Sequence, residues 1–336
     1  MEGERRALVV GTGYAGTRHA EALRELGIPF VGPVSARHTL EDPSAIHDAS
    51  VGVVHVCAAN ELHAALVSAA LRAGRDVVCE KPLALDAAGA EELAATARAS
   101  GRLAVLAYNY RFHPMVVELA ARVADLGVVH TARGTFLQDW LLLASDTDWR
   151  IDPARGGASR AIADIGVHWL DLAELAGRQV VTAVAAQVGR LHDRGTEDHA
   201  GLLLRFSGGM TGAVVLSQAA AGHRNEMELS LDGSAASATW RHERPDELWL
   251  GSRERTAIVL RRDGDLRSPA ARELARLPAG PNEARRNLLA AVYARLSGDE
   301  RAPAAPLATF EDGARHLRFA AAALESAARD SWMPVA

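Results

Sequence analysis

Short apolar runs alternate with amphipathic segments along the first third of the chain. The apolar runs occupy residues 7–10, 30–34, 51–59, 76–79 and 103–108. The third run, VGVVHVCAA, is nearly continuous and β-branched, which is typical of a strand buried on both faces of a sheet. The segments between the runs carry apolar residues at helical spacing, and Gly27, Gly74 and Gly101 end three of them. Because strands and helices alternate, the pattern predicts a doubly wound parallel sheet over residues 1–115.

After residue 115 the pattern changes to strand after strand. Strand-like segments lie at residues 129–138, 180–190, 201–206, 210–217, 226–232, 237–241 and 247–250. This order predicts a second, α+β domain over residues 116–336 with a mostly antiparallel sheet. Helical patterns near residues 283–296 and 310–328 close the chain. The last of these helices is a candidate to pack back on the first domain.

Composition and charge exclude several classes of protein. The chain has 336 residues, a formal net charge of -5, 49% hydrophobic and 24% charged residues, which is ordinary for a soluble globular protein. A mildly acidic chain without a long basic block is not expected to bind nucleic acid. No apolar run approaches the roughly 18 residues of a membrane span, so no membrane partner is expected. Because Cys57 and Cys79 make no disulfide framework, we expect a reducing, cytoplasmic location.

A glycine-rich turn, GTGYAG at residues 11–16, follows the first apolar run and precedes a helical segment. It has the spacing of the dinucleotide fingerprint in the context that the fingerprint requires. The first glycine permits the tight turn, the second lets the backbone approach a pyrophosphate, and the third lets helix and strand pack closely. The helix N-terminus adds amide donors and the positive end of its dipole. The residues that we therefore predict to bind a dinucleotide are Gly11, Gly13, Tyr14, Ala15 and Gly16.

The end of the second apolar run bears on which dinucleotide is bound. An Asp or Glu there, about 20 residues after the turn, would accept a hydrogen bond from the ribose 2′-hydroxyl of NAD. The chain instead has Ser35 and Arg37, which suit the 2′-phosphate of NADP. The alternative is that both are ordinary loop residues and that Glu41 or Asp42 reaches the ribose. We favour NADP over NAD on this pattern.

Lysine is almost absent from the chain. Of the 37 Lys and Arg residues, 36 are Arg and one is Lys81, as if a drift toward arginine had replaced every lysine that serves only as a cation. Lysine differs from arginine because it can lose its proton near neutral pH. Lys81 follows the fourth predicted strand, and ligands of open α/β sheets bind beyond the carboxyl ends of the strands. Chance survival is the alternative to a role in proton transfer with a reacting hydroxyl.

Other polar residues follow the same predicted strands. Asn60 and His63 come after the third strand, Glu80 after the fourth, and Asn109 and Arg111 after the fifth. Because all lie beyond carboxyl ends of strands, we predict that the first four bind the cofactor together with Lys81 and that Arg111 binds substrate. The alternatives are that the asparagines are turn or capping residues and that His63 bonds to the backbone.

A second group of polar residues lies between residues 138 and 171. If the later part is helical, Asp164, His168 and Asp171 share one face at spacing i, i+4 and i+7. A carboxylate one turn from an imidazole can orient the ring or bind a hydroxyl with it, and histidine suits proton transfer with an alcohol. The alternative is two solvated acids and a structural histidine. No metal site is expected, because no further ligand cluster accompanies these residues.

The segment just before that helix combines tryptophans with charged residues. A Trp ring can stack on the face of a sugar, and a guanidinium group can bind hydroxyls. We predict that Trp140, Trp149 and Arg150 contact substrate, together with Asp164 and His168. The alternative for the tryptophans and Arg150 is a packed loop.

Taken together, these motifs resemble the glucose–fructose oxidoreductase, inositol dehydrogenase and rhizopine-catabolism (Gfo/Idh/MocA) family. The resemblance rests on the glycine turn, Glu80-Lys81-Pro82, Asn109-Tyr110-Arg111, Gly156-Gly157 with Asp164-x-Gly166-x-His168, and Phe310-Glu311-Asp312-Gly313. It implies a Rossmann domain followed by a domain with a large open sheet that often serves oligomerisation, so we expect a homo-oligomer, a dimer or tetramer. It also implies proton transfer by Lys81 and His168, with Asp164 binding or orienting. Two departures are Ala59, where proline is common, and the missing acid at Ser35.

The family resemblance also implies an activity. It indicates an NAD(P)-dependent oxidoreductase that moves a hydride to or from a secondary alcohol or ketone of a sugar, inositol or related polyol. Two alternatives on the same fold stay open, a regulatory protein that senses NAD(P) without catalysis and a glycoside hydrolase that uses bound NAD. The presence of Lys81, Asp164 and His168 favours the enzyme, because a sensor has no need of proton-transfer groups.

Overall fold

The computed structural model describes residues 6–262, 264–299 and 306–335, and the chain divides into two compact units. Unit 1 comprises Met1–Asn109, Ala154–Gly157 and Ala279–Leu317, and unit 2 comprises Tyr110–Pro153, Ala158–Pro278 and Arg318–Ala336. The sequence predicts one boundary near residue 115. The observed division begins close to that point but is discontinuous, because a short middle segment and residues 279–317 belong to unit 1.

The secondary structure follows the hydrophobic pattern over most of the described residues. The strands are β1 (Arg6–Val10), β2 (Phe30–Val34), β3 (Val51–Val56), β4 (Asp76–Cys79), β5 (Ala104–Leu106), β6 (Val129–Leu137), β7 (Val181–Gly189), β8 (His199–Phe206), β9 (Thr211–Ser217), β10 (Glu226–Gly233), β11 (Ala236–Arg241), β12 (Glu247–Ser252), β13 (Thr256–Leu260) and β14 (Met333–Pro334). The α-helices are α1 (Tyr14–Glu25), α2 (Ala36–Glu41), α3 (Ser44–His47), α4 (His63–Arg72), α5 (Ala87–Ser100), α6 (Pro114–Arg122), α7 (Pro153–Gly156), α8 (Val167–Gly177), α9 (Pro269–Arg276), α10 (Glu283–Ser297) and α11 (Phe310–Arg329). Within the described ranges, none of these helices is long and apolar enough to cross a membrane.

Unit 1 is built on a five-stranded parallel sheet in the order β2-β1-β3-β4-β5. Every residue of the central strand β3 is buried, as its apolar run predicts. Local signals bound the helices: Asp86 caps α5 by accepting a hydrogen bond from Gly89, and Gly101 ends it in the left-handed conformation. The strand order reverses at β1 and β3, and dinucleotides bind doubly wound sheets beyond such a point.

Unit 2 is built on a nine-stranded sheet in the order β13-β12-β11-β10-β6-β9-β8-β7-β14. Its neighbouring strands are antiparallel except for β6 and β9, so the predicted mostly antiparallel sheet is confirmed. Burial alternates strictly along β8, and helices α6 and α8 pack on the sheet. Trp169 of α8 donates from Nε1 to the Glu228 carbonyl oxygen of β10 at 2.8 Å, which fixes the helix against the sheet.

The hydrophobic pattern did not predict β13, β14 or α9. β13 forms the edge of the large sheet, and four of its five residues are exposed. It therefore lacks the apolar alternation by which a half-buried strand is recognised. β14 has only two residues and is defined by its pairing with β7, a contact that no local pattern reveals.

Candidate active site

The turn after β1 has the geometry of a dinucleotide-binding turn. Gly11 has a φ of 124°, and a Cβ atom there would overlap with a backbone carbonyl of the segment after β3. A Cβ atom at Gly16 would overlap with the carbonyl oxygen of Gly11, so the third glycine lets α1 approach β1. Nothing lies within 4 Å of the Cβ position of Gly13, which leaves its backbone accessible. Tyr14, which is exposed, and Ala15 begin α1, and this open helix N-terminus fits a pyrophosphate.

Ser35 and Arg37 lie at the start of α2, directly after β2. Ser35 is the cap of this helix, because its Oγ accepts a hydrogen bond from the backbone N–H of His38 at 3.4 Å. The guanidinium of Arg37 lies 3.5 Å from a carboxylate oxygen of Glu61, and the Arg37 side chain is 70% exposed. The cap accounts for Ser35 without a ligand, whereas Arg37 stays accessible to a phosphate group.

Glu80 turns into the interior of unit 1. It is buried, and its Oε1 accepts hydrogen bonds from Nε2 of His19 at 3.2 Å and from Nη2 of Arg285 at 3.3 Å. Burial opposes ionisation, but the hydrogen bond from His19 and the charges of Arg285 and Lys81 outweigh it, so the pKa of Glu80 is below its ordinary value. Groups of the protein therefore bind this carboxylate, and a cofactor contact of Glu80 stays a prediction. Lys81, the next residue, is half-buried directly after β4.

His63 and Asn60 bind backbone carbonyl groups within unit 1. His63 is fully buried, with Nδ1 2.8 Å from the carbonyl oxygen of Pro82 and Nε2 3.0 Å from that of Ala58. Asn60 is buried and donates from Nδ2 to the carbonyl oxygen of Gly156 at 2.9 Å. These bonds agree with the alternative given for His63, which is binding to the backbone, and the cofactor contacts of both residues stay predictions. Since His63 joins the segments after β3 and β4, it helps to fix the backbone next to the lysine.

Asn109 is placed differently from these two residues. It is half-buried and opens the 3₁₀ turn Asn109–Phe112 that follows β5. Its backbone N–H donates to the carbonyl oxygen of Ala107 at 3.0 Å. The turn that the alternative predicts is therefore present, and a cofactor contact of the side chain stays a prediction.

In unit 2, Asp164 lies in a π-helical turn, Ile162–Gly166, directly before α8. Such widened turns occur frequently at functional sites. Gln218 donates from Nε2 to Oδ2 of Asp164 at 2.7 Å, and Nε of Arg150 lies 3.5 Å from Oδ1. Gln218 is itself fixed, because its Oε1 accepts a hydrogen bond from Nη1 of Arg160 at 3.0 Å. The amide can thus present only its N–H group to Asp164, which favours the carboxylate form of the acid.

His168 lies in the first turn of α8 and is buried. The ring of Tyr110 packs edge-on against the imidazole, with 4.9 Å between the ring centroids. The Tyr110 hydroxyl accepts a hydrogen bond from Nδ2 of Asn225 at 2.8 Å, and Oδ1 of Asn225 accepts one from Nε2 of Gln138 at 2.7 Å. Gln138 also accepts from the indole of Trp140 at 2.8 Å. A continuous set of amide and hydroxyl groups therefore adjoins the histidine.

Four polar residues of this site received no individual role from the sequence, although the sequence motifs include Tyr110. They are Tyr110, Gln138, Gln218 and Asn225. Gln138 directly follows β6 and Gln218 directly follows β9, and these strands are the parallel pair of the large sheet. Polar residues at the adjoining ends of two parallel strands are a recognisable signal once the pairing is known. Nothing in the local sequence indicates that β6 and β9 are neighbours.

Asp171 is not part of this group, although helical spacing predicts a shared face. Asp171 is buried and forms a bidentate ion pair with Arg111. Nε of Arg111 lies 2.7 Å from Oδ2 of Asp171, and Nη2 lies 2.5 Å from Oδ1. This ion pair gives Arg111 a structural role, and its contact with substrate stays a prediction. Among the residues that the structure describes, no three His, Cys, Asp or Glu side chains are arranged to hold a metal ion.

Trp149 and Arg150 form part of the 3₁₀ turn Trp149–Ile151, which Asp148 caps. The Arg150 guanidinium stacks over the Trp149 ring at 4.3 Å from its centroid and lies 3.0 Å from an oxygen of Asp148. Through its contact with Asp164, Arg150 belongs to the polar site, and its contact with substrate stays a prediction. Trp140 joins the same site through its hydrogen bond to Gln138.

Comparison with known proteins assigns both halves of the chain to one family. Residues 33–108 match the model of an oxidoreductase family with an NAD-binding Rossmann fold. Residues 118–239 match the model of the GFO/IDH/MocA C-terminal domain. The two matches follow each other in the order that the sequence motifs predict.

Individual relatives agree with this assignment. Levoglucosan dehydrogenase of Pseudarthrobacter phenanthrenivorans is 29% identical over 255 residues, which cover 68% of this chain and 63% of that protein, less than two thirds of its length. The structure of an inositol dehydrogenase homolog from Azotobacter vinelandii complexed with NAD+ is 26% identical and has a TM-score of 0.87, with coverage of 99% of this chain and 98% of that chain. A second structure of an inositol dehydrogenase homolog from Azotobacter vinelandii, complexed with NADH and myo-inositol, has 25% identity and a TM-score of 0.85, with coverage of 99% and 98%. With both of its domains matched and its whole fold shared, this chain belongs to the Gfo/Idh/MocA oxidoreductase family.

Proposed function

We propose that this protein is a cytoplasmic NAD(P)-dependent oxidoreductase that moves a hydride to or from a secondary alcohol or ketone of a sugar, inositol or related polyol. The observation that carries the proposal is the pairing in unit 2 of a fixed carboxylate, Asp164, with a buried histidine, His168, one helical turn later. Alcohol oxidation requires a group that accepts the hydroxyl proton, and histidine performs this transfer near neutral pH.

Different residues transfer the proton, orient the reacting groups and bind the cofactor. In oxidation the O–H bond of the carbinol breaks and His168 takes the proton, with Lys81 assisting, and in reduction they return it to the carbonyl oxygen. Asp164 orients the imidazole or the substrate hydroxyl. The nicotinamide, when bound, supplies the acceptor or donor of the hydride. The glycine turn and the N-terminus of α1 would hold the pyrophosphate of the dinucleotide.

The chemistry of unit 2 supports a polyhydroxylated substrate. Gln138 and Asn225 offer amide groups that can donate to and accept from adjacent hydroxyls, and Arg150 adds charged donors. The indole rings of Trp140 and Trp149 offer apolar faces against which a sugar ring can stack. The substrates that the relatives' descriptions name, levoglucosan and myo-inositol, belong to this class.

The accessible guanidinium of Arg37 supports NADP as the preferred cofactor, with NAD as the weaker one. Arg37→Ala is expected to reduce kcat/KM with NADP by about tenfold, since it removes a charge-assisted contact to the 2′-phosphate, and to leave kcat/KM with NAD nearly unchanged. Steady-state kinetics with both cofactors measures this. A strong preference of the unaltered protein for NAD would contradict the assignment.

The exposed face of the large sheet supports a homo-oligomer, a dimer or tetramer. This face carries the exposed apolar side chains Leu203 and Val215 and a shallow depression of about 760 Å³ that they help to line. An apolar surface of this kind is unusual on a monomer. Sedimentation velocity is expected to give a multiple of the 35.6 kDa chain mass, which Leu203→Arg lowers. Sedimentation at 35.6 kDa under all conditions would disprove the oligomer.

A screen of sugars and polyols with both cofactors, followed by the absorbance of the reduced nicotinamide, tests the proposed function. Turnover of at least one secondary alcohol or ketone is the expected result. Tight cofactor binding without turnover of any compound would instead identify a sensor. Release of an aglycone without net consumption of cofactor would identify a glycoside hydrolase.

A further inference from the structure

A chain of hydrogen bonds crosses the interior of unit 1 and ends on Glu80. The hydroxyl of Tyr293 lies 2.9 Å from Nε2 of His55, and Nδ1 of His55 lies 2.9 Å from Nδ1 of His19. Nε2 of His19 lies 3.2 Å from Oε1 of Glu80. Both histidines are 0% exposed, Glu80 is 8% exposed and Tyr293 is half-buried on α10. None of these residues has a part in the reaction proposed above.

The chemistry of imidazole permits only one direction for this chain while Glu80 is ionised. A neutral imidazole has one N–H group and one bare nitrogen. A carboxylate can only accept, so His19 donates from Nε2 and its Nδ1 must be the bare nitrogen. His55 therefore donates from Nδ1, and its bare Nε2 accepts from the hydroxyl of Tyr293. All three donors then point toward Glu80, whereas a protonated Glu80 could also donate and would no longer fix the direction of these bonds.

The charges around Glu80 agree with the direction toward the carboxylate. Arg285 donates to the same oxygen as His19, and Lys81 is adjacent in sequence. Two thiols, Cys57 and Cys79, and the imidazole of His63 also interact electrostatically with Glu80. Burial raises the pKa of each thiol and lowers that of His63, which keeps all three groups neutral. Burial also lowers the pKa of His55 and of His19, so both rings are neutral, as the chain requires.

We propose that Tyr293, His55 and His19 hold Glu80 as a fixed carboxylate, and that Glu80 is a positioning residue that stabilises the ammonium form of Lys81. The proposal rests on the proposed function, in which Lys81 assists proton transfer. Glu80 and Lys81 interact electrostatically, and a fixed negative charge at this place attracts the protonated amine. The three residues behind Glu80 keep that charge in one place, because each donor has one acceptor to which it can point.

The amino-acid composition of the protein allows a direct test of the effect of Glu80 on Lys81, and this test does not depend on enzymatic turnover. Lys81 is the one lysine of the sequence, so protein grown on lysine labelled with ¹³C at Cε and ¹⁵N at Nζ gives one side-chain signal. Its chemical shift as a function of pH reports the titration of this amine. Glu80→Gln removes the negative charge without changing the shape of the side chain. We expect the midpoint of the titration to fall by about one pH unit, the lower end of the effect of a nearby opposite charge.

Two further variants keep the test informative if Glu80→Gln does not fold. His19→Gln removes the ring that joins Glu80 to the chain, and it is expected to lower the midpoint by a smaller amount. Tyr293→Phe removes only the terminal hydroxyl and is expected to shift it least. Tyr108→Phe is the matched control. The Tyr108 hydroxyl makes a comparable buried hydrogen bond, 2.9 Å to Nδ1 of His316, but it is not part of the hydrogen bonds that lead to Glu80. Its midpoint is expected to equal that of the unaltered protein.

The outcomes separate this proposal from the proposed function. An equal midpoint in the unaltered protein, Glu80→Gln and His19→Gln would overturn the role of Glu80, whether or not the protein oxidises a polyol. Histidine ¹⁵N spectra that place the proton on Nδ1 of His19 and on Nε2 of His55 would overturn the direction of the chain. Where a substrate is turned over, the pH profile of kcat/KM is expected to move with the lysine midpoint in Glu80→Gln and to stay unchanged in Tyr108→Phe.

Discussion

At the scale of single residues, the reactive groups depend on partners that are distant in sequence. Asp164 is held by Gln218, which is held in turn by Arg160, and Arg160 forms a buried ion pair with Asp198. The carboxylate therefore has one preferred position before any substrate binds. Fixed groups of this kind accelerate reactions because the cost of orienting them has been met during folding.

Gln218→Leu tests this arrangement. It removes the donor to Asp164 and places an apolar side chain of similar size in the same buried position. We therefore expect kcat/KM to fall by up to about a hundredfold, the effect of misplacing a catalytic group. Gln179→Leu is the matched control, because Gln179 binds the backbone of the β8–β9 hairpin and has no contact with the site. Steady-state kinetics and thermal unfolding of both variants measure the effect. Equal activity of the two variants would show that Asp164 does not need Gln218.

Lys81 in unit 1 and Gln218 in unit 2 differ in how far the sequence could reveal them. Lys81 could be identified from composition and from its place after a predicted parallel strand, both of which are local properties. Gln218 could not, because its importance follows from the pairing of β9 with β6 and from the contact with Asp164, 54 residues away in sequence. Asp171 was misplaced for a related reason: spacing along a helix does not reveal a buried partner such as Arg111.

At the scale of elements, the hydrophobic pattern predicts buried strands well and edge strands poorly. β3 is recognisable because its burial on both faces imposes a continuous apolar run, whereas exposure removes that constraint from β13. The helix near residue 164 was predicted, but its widened turn was not, because the same residues fit a regular helix. The glycine turn was predicted together with its function, since each glycine answers a separate steric requirement.

Two single substitutions in the glycine turn separate folding from cofactor binding. Gly13→Ala places a methyl group in open space on an extended backbone, so the melting temperature is expected to stay unchanged while the affinity for NAD(P) falls at least tenfold. Gly16→Ala drives the same group into a carbonyl oxygen, so both properties are expected to decline. Differential scanning fluorimetry and cofactor titration measure the two effects. Full cofactor affinity of Gly13→Ala would place the cofactor elsewhere.

At the scale of the whole molecule, the sequence pattern could not predict that the two units are discontinuous along the chain. Residues 279–317 join unit 1 through contacts such as those of Tyr293 and Arg285, which no periodicity indicates. The molecule also buries several histidines in the neutral form. Burial lowers the pKa of His63 as well as those of His19 and His55, and it lowers the pKa of His113 to about 3, with a further contribution from nearby positive charges.

These histidines predict a loss of stability in acid. In the unfolded chain each of these histidines binds a proton near pH 6.5, whereas the pKa of folded His113 is about 3. The contribution of His113 to stability is therefore fully present above pH 6.5 and is lost as the pH falls through this window. Urea unfolding at several pH values is expected to show a shallower dependence for His113→Phe. His130→Phe, at an exposed position, is the control. If the free energy of unfolding depends on pH with the same slope in His113→Phe and His130→Phe, the prediction is contradicted.

The central claim is that this protein transfers a hydride and that the amine of Lys81 assists His168 in moving the accompanying proton. Its most direct test is the rate of nicotinamide absorbance change, measured side by side for the unaltered protein and Lys81→Arg with the best substrate from the polyol screen. Arginine keeps the positive charge but cannot lose its proton near neutral pH. We therefore predict turnover by the unaltered protein and a loss of about 10² to 10⁴ in kcat for the variant. Equal rates for the two proteins, or no turnover of any sugar or polyol by either, would contradict it.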